Sequence, residues 1–253
     1  MGKTHQALQR AEQEYQERII TSRSGPDINV RHMLPKKPSM PRQTTNDQYL
    51  AQYEFLKSNL LSRYPSNKLT SLAFTSASLG DGTTTTAVNF ATAMAKDSLR
   101  SVLLVDANFR HPCLHDMFHI ELTNGLSDFL ARENGMEPQF TMIEKNLHIQ
   151  TAGSLGLRAA GLFESPQFDR FIETACSRFD HVILDCPPVA AFSETRVIAG
   201  KVGGVIMVVN AGKTRQKVAL RTKNDLIEAG AEILGTVLNR RKFHIPYWVY
   251  KRL

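Results

Sequence analysis

Six short apolar runs that are rich in β-branched residues recur along this chain of 253 residues. They lie at 70–75, 101–105, 147–151, 181–184, 204–209 and 233–238. The run at 204–209 contains no alternation of polar and apolar residues, which is typical of a strand that is buried on both faces. Helix-like stretches separate several runs, at 84–97, 166–178 and 214–229. The pattern predicts an α/β fold in which a parallel β-sheet is sandwiched by helices, with binding residues at the carboxyl ends of the strands.

The composition indicates one principal domain and two terminal segments. Hydrophobic residues make up 42% of the chain and charged residues 22%, as in a globular protein with one large core. Residues 3–18 form a short helix candidate with few apolar anchors, and 21–46 contain four prolines among polar residues. We therefore predict a short N-terminal helix and a flexible Pro-rich linker at 1–46, a folded domain at 47–243, and an aromatic, basic tail at 244–253.

The length of the apolar runs and the spacing of the cysteines indicate the cellular compartment of the protein. The chain has no apolar run of about 18 residues and no apolar segment near Met1, so we expect neither a membrane span nor a secretory signal. The three cysteines, Cys113, Cys176 and Cys186, lack zinc-type spacing and fit reduced thiols in the core. These features predict a cytoplasmic protein.

The net charge of +7 falls at the C-terminal end. After Gly212 there are ten Lys and Arg residues against three Asp and Glu residues. This excess favours an anionic partner, such as the inner leaflet of a membrane, and we expect no nucleic-acid partner. The alternative is a solvated helix face plus a basic tail, because Lys213, Lys217 and Arg221 recur at intervals of four residues.

Residues 75–86 resemble a phosphate-binding loop. They read Thr-Ser-Ala-Ser-Leu-Gly-Asp-Gly-Thr-Thr-Thr-Thr, after a predicted strand and before a predicted helix, which is the context that such a loop requires. Its backbone N–H groups would form an anion cradle at the start of the helix. The candidate nucleotide-binding residues here are Gly80, Asp81, Gly82, Thr83, Thr84 and Thr85.

This loop departs from the pattern G-x-x-x-x-G-K-[ST] at two positions. Ala77 takes the place of the first Gly, and Thr83 takes the place of the Lys that binds the β- and γ-phosphates. Lys213 and Arg215, after a later strand, are the cations that could substitute for it. The alternative interpretation is that the four Thr hydroxyls only cap the first turn of a helix.

Two acidic residues follow predicted strands. Asp106 comes after the strand ending at Val105, and Asp185 after the strand ending at Leu184. Strand ends converge in a parallel sheet, so we expect one carboxylate to hold Mg²⁺ and another to orient a nucleophile near the loop. The alternative is that each Asp caps a turn.

The chain resembles the bacterial tyrosine autokinase family, the P-loop ATPases with a deviant Walker motif that serve capsule and exopolysaccharide synthesis. The resemblance runs from about Tyr49 to about Asn239. It rests on an ordered set of motifs: Gly80-Asp81-Gly82; Leu103 to Pro112 (Leu-Leu-Val-Asp-Ala-Asn-Phe-Arg-His-Pro) with His115 and Phe118; Gly125-Leu126-Ser127; Ala152-Gly153; Phe179 to Pro188 (Phe-Asp-His-Val-Ile-Leu-Asp-Cys-Pro-Pro); Gly212-Lys213-Thr214; and Val237-Leu238-Asn239.

This resemblance implies a P-loop NTPase domain with ATP or ADP and Mg²⁺ as cofactors. It implies Thr84, Asp106 and Asp185 as Mg²⁺ residues, with Asp106 as the catalytic base of an active kinase. Asn239 would contact adenine, or else only cap a strand end. Tyr247 and Tyr250 would be the phosphate acceptors.

Arg110 follows the spacing of its motif in the family. A functional role for Arg110 is therefore implied only by the resemblance. The alternative is that Arg110 forms a salt bridge with Asp116 or another neighbour.

The sequence departs from the family at several positions that carry chemistry. Thr83 replaces the loop lysine, and Asn108 replaces the second carboxylate of Asp-x-Asp. The self-association motif Glu-x-x-Arg-x-x-Arg aligns best with Ala51-x-x-Glu54-x-x-Lys57, and the C-terminal tyrosine cluster is reduced to Tyr247 and Tyr250 around Trp248.

These departures lead to a first hypothesis: a cytoplasmic P-loop protein of exopolysaccharide synthesis and export that binds nucleotide weakly or not at all. Its ATP hydrolysis and phosphotransfer would be impaired, and it would act as a regulatory or scaffold subunit at the inner face of the membrane. Its partner would be a membrane chain-length determinant or polysaccharide co-polymerase, and it could form homo-oligomers. An active autokinase that phosphorylates Tyr247 or Tyr250 is the alternative. A membrane-partitioning ATPase relative is a third possibility.

Overall fold

The computed structural model describes residues 47–97, 99–131, 137–154 and 161–241. The predicted N-terminal helix and linker at 1–46 and the predicted C-terminal tail at 244–253 lie outside these residues, so those domain boundaries stay predictions. Among the described residues, no helix combines the length and apolar character needed to cross a membrane.

Strands and helices alternate along the described part of the chain. The strands are β1 (Ser71–Ser76), β2 (Val102–Asp106), β3 (Thr141–Glu144), β4 (Leu147–Gln150), β5 (His181–Asp185), β6 (Gly204–Asn210) and β7 (Ile233–Asn239). The helices are α1 (Asp47–Arg63), α2 (Ser66–Leu69), α3 (Thr83–Ala95), α4 (Leu114–Phe118), α5 (Leu126–Leu130), α6 (Pro166–Arg178), α7 (Glu194–Lys201) and α8 (Gln216–Glu228).

The strands form one sheet in the order β3-β4-β2-β5-β1-β6-β7. All neighbours pair in parallel except β3, which runs antiparallel to β4 at the edge. The predicted parallel sheet is therefore confirmed for the six apolar runs. The prediction missed β3, whose residues are mostly exposed and form no apolar run.

Helices cover both faces of the sheet, which explains the uninterrupted apolar strands. On one face, the buried rings of Phe168 and Phe171 from α6 pack near Leu103 and Val182. On the other face, a second cluster joins buried residues of α1 and α3 to the same strands, including Leu60, Phe90, Met94 and Leu104. The buried apolar side chains of β2 and β5 thus alternate between two cores.

Helix α6 illustrates how the sequence sets a local element. Pro166 occupies the first turn, where its missing N–H has no partner to lose. Asp169 lies in the first turn and Arg178 in the last, where each charge complements the helix dipole. Phe168 and Phe171, three residues apart, share the buried face.

The sheet order brings the carboxyl ends of β1, β2 and β5 together. β5 lies between β1 and β2, and Asp106 at the end of β2 is in register with Asp185 at the end of β5. The chain then crosses β1 to reach β6 on its other side. Such a reversal in strand order opens a crevice at the carboxyl ends of the strands.

Candidate nucleotide-binding site

Two glycines with left-handed backbones shape the loop between β1 and α3. Gly80 has a φ of 81° and Gly82 a φ of 94°, values that residues with a Cβ rarely adopt. A Cβ atom on Gly82 would also lie 2.1 Å from Nδ2 of Asn239. Gly82 is the N-cap of α3, and the first N–H groups of a helix have no partner within it. The loop can therefore present N–H groups and the positive end of the helix dipole to an anion.

Asp81 fixes this loop from inside. Its side chain is fully buried; Oδ2 accepts a hydrogen bond from the N–H of Ser78 at 3.1 Å, and Oδ1 accepts one from the hydroxyl of Thr214 at 2.8 Å. The backbone oxygen of Asp81 accepts a third bond from Nδ2 of Asn239 at 2.9 Å. The carboxylate therefore points into the protein and holds the loop against the turn after β6, while the backbone oxygen holds it against the end of β7.

Thr84 and Asp185 form the polar contact at the start of α3. The Thr84 hydroxyl donates to Oδ2 of Asp185 at 2.6 Å. Asp185 is fully buried, and its second oxygen, Oδ1, has no hydrogen-bond partner among the described residues. Burial, and then the charge of Asp106, raise the pKa of the Asp185 carboxyl well above its ordinary value. A buried carboxylate oxygen without a partner is a costly arrangement that a bound cation would relieve.

Asp106 is also buried, but its oxygens are occupied. Oδ1 accepts the N–H of Asn108 at 3.2 Å, and Oδ2 accepts the N–H groups of Cys113 and Leu114 at 3.0 and 3.1 Å. Burial raises the pKa of the Asp106 carboxyl to about 6, although these N–H groups lower it. Burial likewise raises the pKa of the Cys113 thiol to about 12, so the sulfur next to this site stays protonated at neutral pH.

Thr84 and Asp185 fit a magnesium ion shared with a nucleotide, whereas the oxygens of Asp106 accept three backbone N–H groups. Among the residues that the structure describes, no group of three or more His, Cys, Asp and Glu side chains could hold a metal by itself. Mg²⁺ in phosphoryl-transfer sites is bound by one or two carboxylates together with substrate phosphates and waters. The hydroxyl of Thr84 and the free oxygen of Asp185 are the groups that would hold it here.

Arg110 pairs with a residue that the sequence did not indicate. Its Nε donates to Oε1 of Glu194 at 2.8 Å, and its guanidinium carbon lies 4.9 Å from the centre of the Phe192 ring. Glu194 is only 4% exposed. Asp116, the partner considered from the sequence, lies 3.6 Å from His115 instead. The Arg110–Glu194 pair ties the segment after β2 to the start of α7.

Asn239 caps the end of β7 and supports the loop. Its Oδ1 accepts the N–H of Arg240 at 2.8 Å, and its Nδ2 donates to Asp81. The cap anticipated as an alternative from the sequence is therefore present. The contact of Asn239 with adenine stays a prediction.

Lys213 reaches the phosphate-loop candidate from the turn after β6. Its Nζ donates to the backbone oxygen of Leu79 at 3.1 Å, and a Cβ on Gly80 would lie 3.6 Å from the same nitrogen. The sequence raised Lys213 as a substitute cation, and the structure places its ammonium at the loop. Arg215, the other candidate, is the N-cap residue of α8.

One sequence-based interpretation of Lys213 is wrong. Its spacing from Lys217 and Arg221 suggested a shared helix face, but α8 begins at Gln216. Lys213 therefore precedes the helix, whereas Lys217 and Arg221 lie on it and are exposed.

Comparisons with known proteins show which family the chain is related to. Over 202 residues the chain is 31% identical to the tyrosine-protein kinase YwqD of Bacillus subtilis, covering 79% of this chain and 85% of that protein. No protein-family model matches the chain.

The chain belongs to the family of bacterial tyrosine-protein kinases.

Solved structures agree with this family. The VpsO kinase domain superposes with a TM-score of 0.69 at 27% identity, covering 78% of this chain and 96% of that domain. The cell division ATPase MinD of Pyrococcus furiosus superposes with a TM-score of 0.58 at 22% identity, covering 73% of this chain and 78% of that one, and shares the fold alone. The relationship to the tyrosine kinases is thus supported by both sequence and fold.

Of the remaining predicted site residues, two lie at the start of α3 and the others lie outside the described part of the chain. Thr83 is half-buried and Thr85 is exposed at the first turn of α3. Tyr247, Trp248 and Tyr250 lie outside the described residues, so their roles stay predictions.

The degenerate self-association motif lies on α1. Lys57 donates to the backbone oxygen of Ala93 at 3.2 Å and forms an ion pair with Glu54. Its side chain is 15% exposed. This lysine therefore serves the packing of α1 on α3, and homo-oligomer formation stays a prediction.

Sequence reasoning missed the residues that brace the site from a distance. Glu194 gave no signal, because one acidic residue at a helix start is common. Thr214 stood in a motif shared with the family, but its bond to Asp81 joins residues 133 positions apart. Only the fold brings these partners together.

Proposed function

We propose that this protein is a cytoplasmic P-loop subunit of an exopolysaccharide or capsule synthesis machine, in which it binds magnesium nucleotide but transfers the phosphoryl group poorly. A single observation carries the proposal. The loop keeps its two left-handed glycines and the Thr84–Asp185 pair, while Thr83 occupies the position of the phosphate-binding lysine.

The retained groups support nucleotide binding. A glycine loop at a helix N-terminus favours a phosphate, and the free oxygen of Asp185 favours the accompanying cation. The missing lysine lowers the expected rate of phosphoryl transfer. Electrostatic groups aimed at the charge of the transition state typically contribute about 3–4 kcal/mol each, or 10²- to 10³-fold in rate. We therefore expect binding to survive and transfer to be slow.

The surroundings of Asp106 support the same proposal. A general base needs a free lone pair within hydrogen-bond reach of the hydroxyl that it deprotonates. Asp106 is fully buried, and its oxygens accept three backbone N–H groups, two at Oδ2 and one at Oδ1. In this arrangement the carboxylate holds the segment after β2 in place and has little access to a substrate hydroxyl.

An active autokinase is the second candidate, and the pKa of Asp106 favours it. Burial raises that pKa to about 6, which suits a base that works near neutral pH. In this reaction the phenol oxygen of Tyr247 or Tyr250 attacks the γ-phosphorus of ATP, the bond to ADP breaks, and the phenol proton passes to Asp106. It requires the tyrosine hydroxyl to reach Oδ1 of buried Asp106, which accepts a single backbone N–H.

The cellular role is proposed from the family. The partner would be a membrane chain-length determinant or polysaccharide co-polymerase, with the protein peripheral to the inner face of the membrane. Basic residues concentrated after Gly212 suit anionic lipid. Nucleotide binding would then regulate docking to that partner.

Polysaccharide output in the native host separates the two candidates. A deletion strain would be complemented with wild-type protein, with Asp106→Asn, and with Gly82→Val, which places a side chain against Asn239 in the cradle. We expect Asp106→Asn to restore polysaccharide and Gly82→Val, at matched soluble abundance, to fail. Loss of polysaccharide with Asp106→Asn at normal abundance would favour the active kinase.

A further inference from the structure

We infer that Lys213 supplies, from the turn between β6 and α8, the phosphate-binding cation that the loop itself lacks at Thr83. The ligand is the phosphate chain of a nucleoside diphosphate or triphosphate in the β1–α3 loop. This inference rests on the proposed function, because it requires a nucleotide at that loop.

The turn that carries Lys213 is held in a defined position. The N–H groups of Lys213 and Thr214 both donate to the backbone oxygen of Asn210, at 3.1 and 2.9 Å. The N–H of Gly212 donates to the Asn210 side chain at 3.1 Å. On the loop side, the Thr214 hydroxyl binds buried Asp81. The base of the lysine side chain is therefore fixed next to the loop before any ligand binds.

The ammonium group has capacity for an anion. Of its three donors, one is directed at the backbone oxygen of Leu79. Within the residues that the structure describes, Lys213 forms no ion pair. The nearby carboxylate of Asp81 is directed at Ser78 and Thr214 instead. A phosphate oxygen would be a stronger partner than the neutral carbonyl group.

A second observation marks the same loop as a ligand site. Asp185, at the opposite end of the loop, is fully buried with Oδ1 unpartnered among the described residues. A cation at Asp185 and an ammonium at Leu79 would flank one phosphate chain. We expect Lys213 to bind the phosphates equally well in the ground state and in the transition state of transfer. Such binding raises the affinity for the nucleotide but does not raise the rate of phosphoryl transfer.

The test is calorimetric titration of the full-length protein with ADP and Mg²⁺, using four variants. Lys213→Ala removes charge and donor, Lys213→Gln removes the charge but keeps a donor for Leu79, and Lys213→Arg keeps the charge. Lys217→Ala removes another exposed charge four residues further along the chain. We expect Lys213→Ala and Lys213→Gln to bind ADP about 10- to 100-fold more weakly, with unchanged melting temperature, and Lys213→Arg and Lys217→Ala to bind as the wild type does.

Each contrary outcome has a separate meaning. If the wild type binds ADP and Lys213→Ala binds it equally well, or Lys213→Gln behaves as the wild type, this inference is overturned and the proposed function stands. If Lys217→Ala lost as much ADP affinity as Lys213→Ala, the effect would come from the overall charge of the surface, and the inference would also be overturned. If the wild type does not bind ADP at all, the proposed function fails together with the inference.

Discussion

The hydroxyl of Thr84 lies 2.6 Å from Oδ2 of Asp185 and joins the first turn of α3 to the end of β5. Asp185 is in register with Asp106 on the neighbouring strand, and both carboxyl groups are fully buried. Two buried carboxylates side by side, one with an oxygen lacking a partner, destabilise the protein without a bound cation. The site therefore has a measurable cost in stability.

Asp185→Asn is expected to stabilise the nucleotide-free protein near pH 7.5. The folded pKa of Asp185 is raised above its unfolded value, so its stabilising contribution is present below the unfolded pKa of about 4 and is lost as pH rises through the folded pKa. Removing the charge should raise the melting temperature by about 2–4 °C at pH 7.5, on the order of 1 kcal/mol. The difference should disappear toward pH 4. Thermal melts in magnesium-free buffer across this range measure it.

Asp180→Asn is the control for that experiment. Hydrogen bonds from the backbone and side chain of Ser101 lower the pKa of the Asp180 carboxyl, so the sign is opposite. Its contribution is present above the unfolded pKa and is lost as pH falls through the folded pKa. A lower melting temperature for Asp185→Asn at pH 7.5 would contradict the account of an unsatisfied buried carboxylate.

Gly82→Ala and Gly230→Ala separate backbone strain from steric conflict at the loop. Both glycines have positive φ, at 94° and 79°, and each substitution should cost about 1–2 kcal/mol for that reason. Only Gly82 places the new Cβ against a neighbour, 2.1 Å from Asn239, whereas nothing lies within 4 Å at Gly230. We expect a total cost of about 2–4 kcal/mol at Gly82. Denaturant unfolding that gives equal losses would show that the loop adapts freely.

Deleting residues 244–253 tests the proposed membrane contact. The tail combines Tyr247, Trp248 and Tyr250 with two basic residues, and each basic residue near anionic lipid contributes about 1 kcal/mol. Cosedimentation with vesicles that contain anionic lipid should fall after the deletion, and binding to neutral vesicles should stay low. Undiminished cosedimentation would exclude the tail as the anchor, and a much lower melting temperature would indicate a structural role for it.

The sequence predicted the parts of the fold that are governed by local pattern. Strands β5 and β6 are buried on both faces, and such burial favours continuous apolar runs that are visible without a structure. The closeness of Asp106 and Asp185 could also be predicted, because the ends of parallel strands meet at one edge of the sheet. Strand β3 was missed because its residues are mostly exposed and impose no such demand.

Long-range partners could not be predicted in the same way. Lys213 was grouped with Lys217 because their spacing fits a helix, but the helix starts after Lys213. Its contact with Leu79 spans 134 residues, and Arg110 finds Glu194 across 84. Such pairs depend on which loops the sheet order brings together, and local spacing carries no information about that order.

The most direct test of slow phosphoryl transfer is incubation of the purified full-length protein with γ-labelled ATP and Mg²⁺, beside Asp106→Ala and Thr83→Lys. We expect label on the wild type and its ATP turnover to be indistinguishable from those of Asp106→Ala, because Thr83 provides no charge for the transferring group. Thr83→Lys should gain nucleotide affinity. Labelled phosphate on the wild type but not on Asp106→Ala would contradict the account and identify an active kinase.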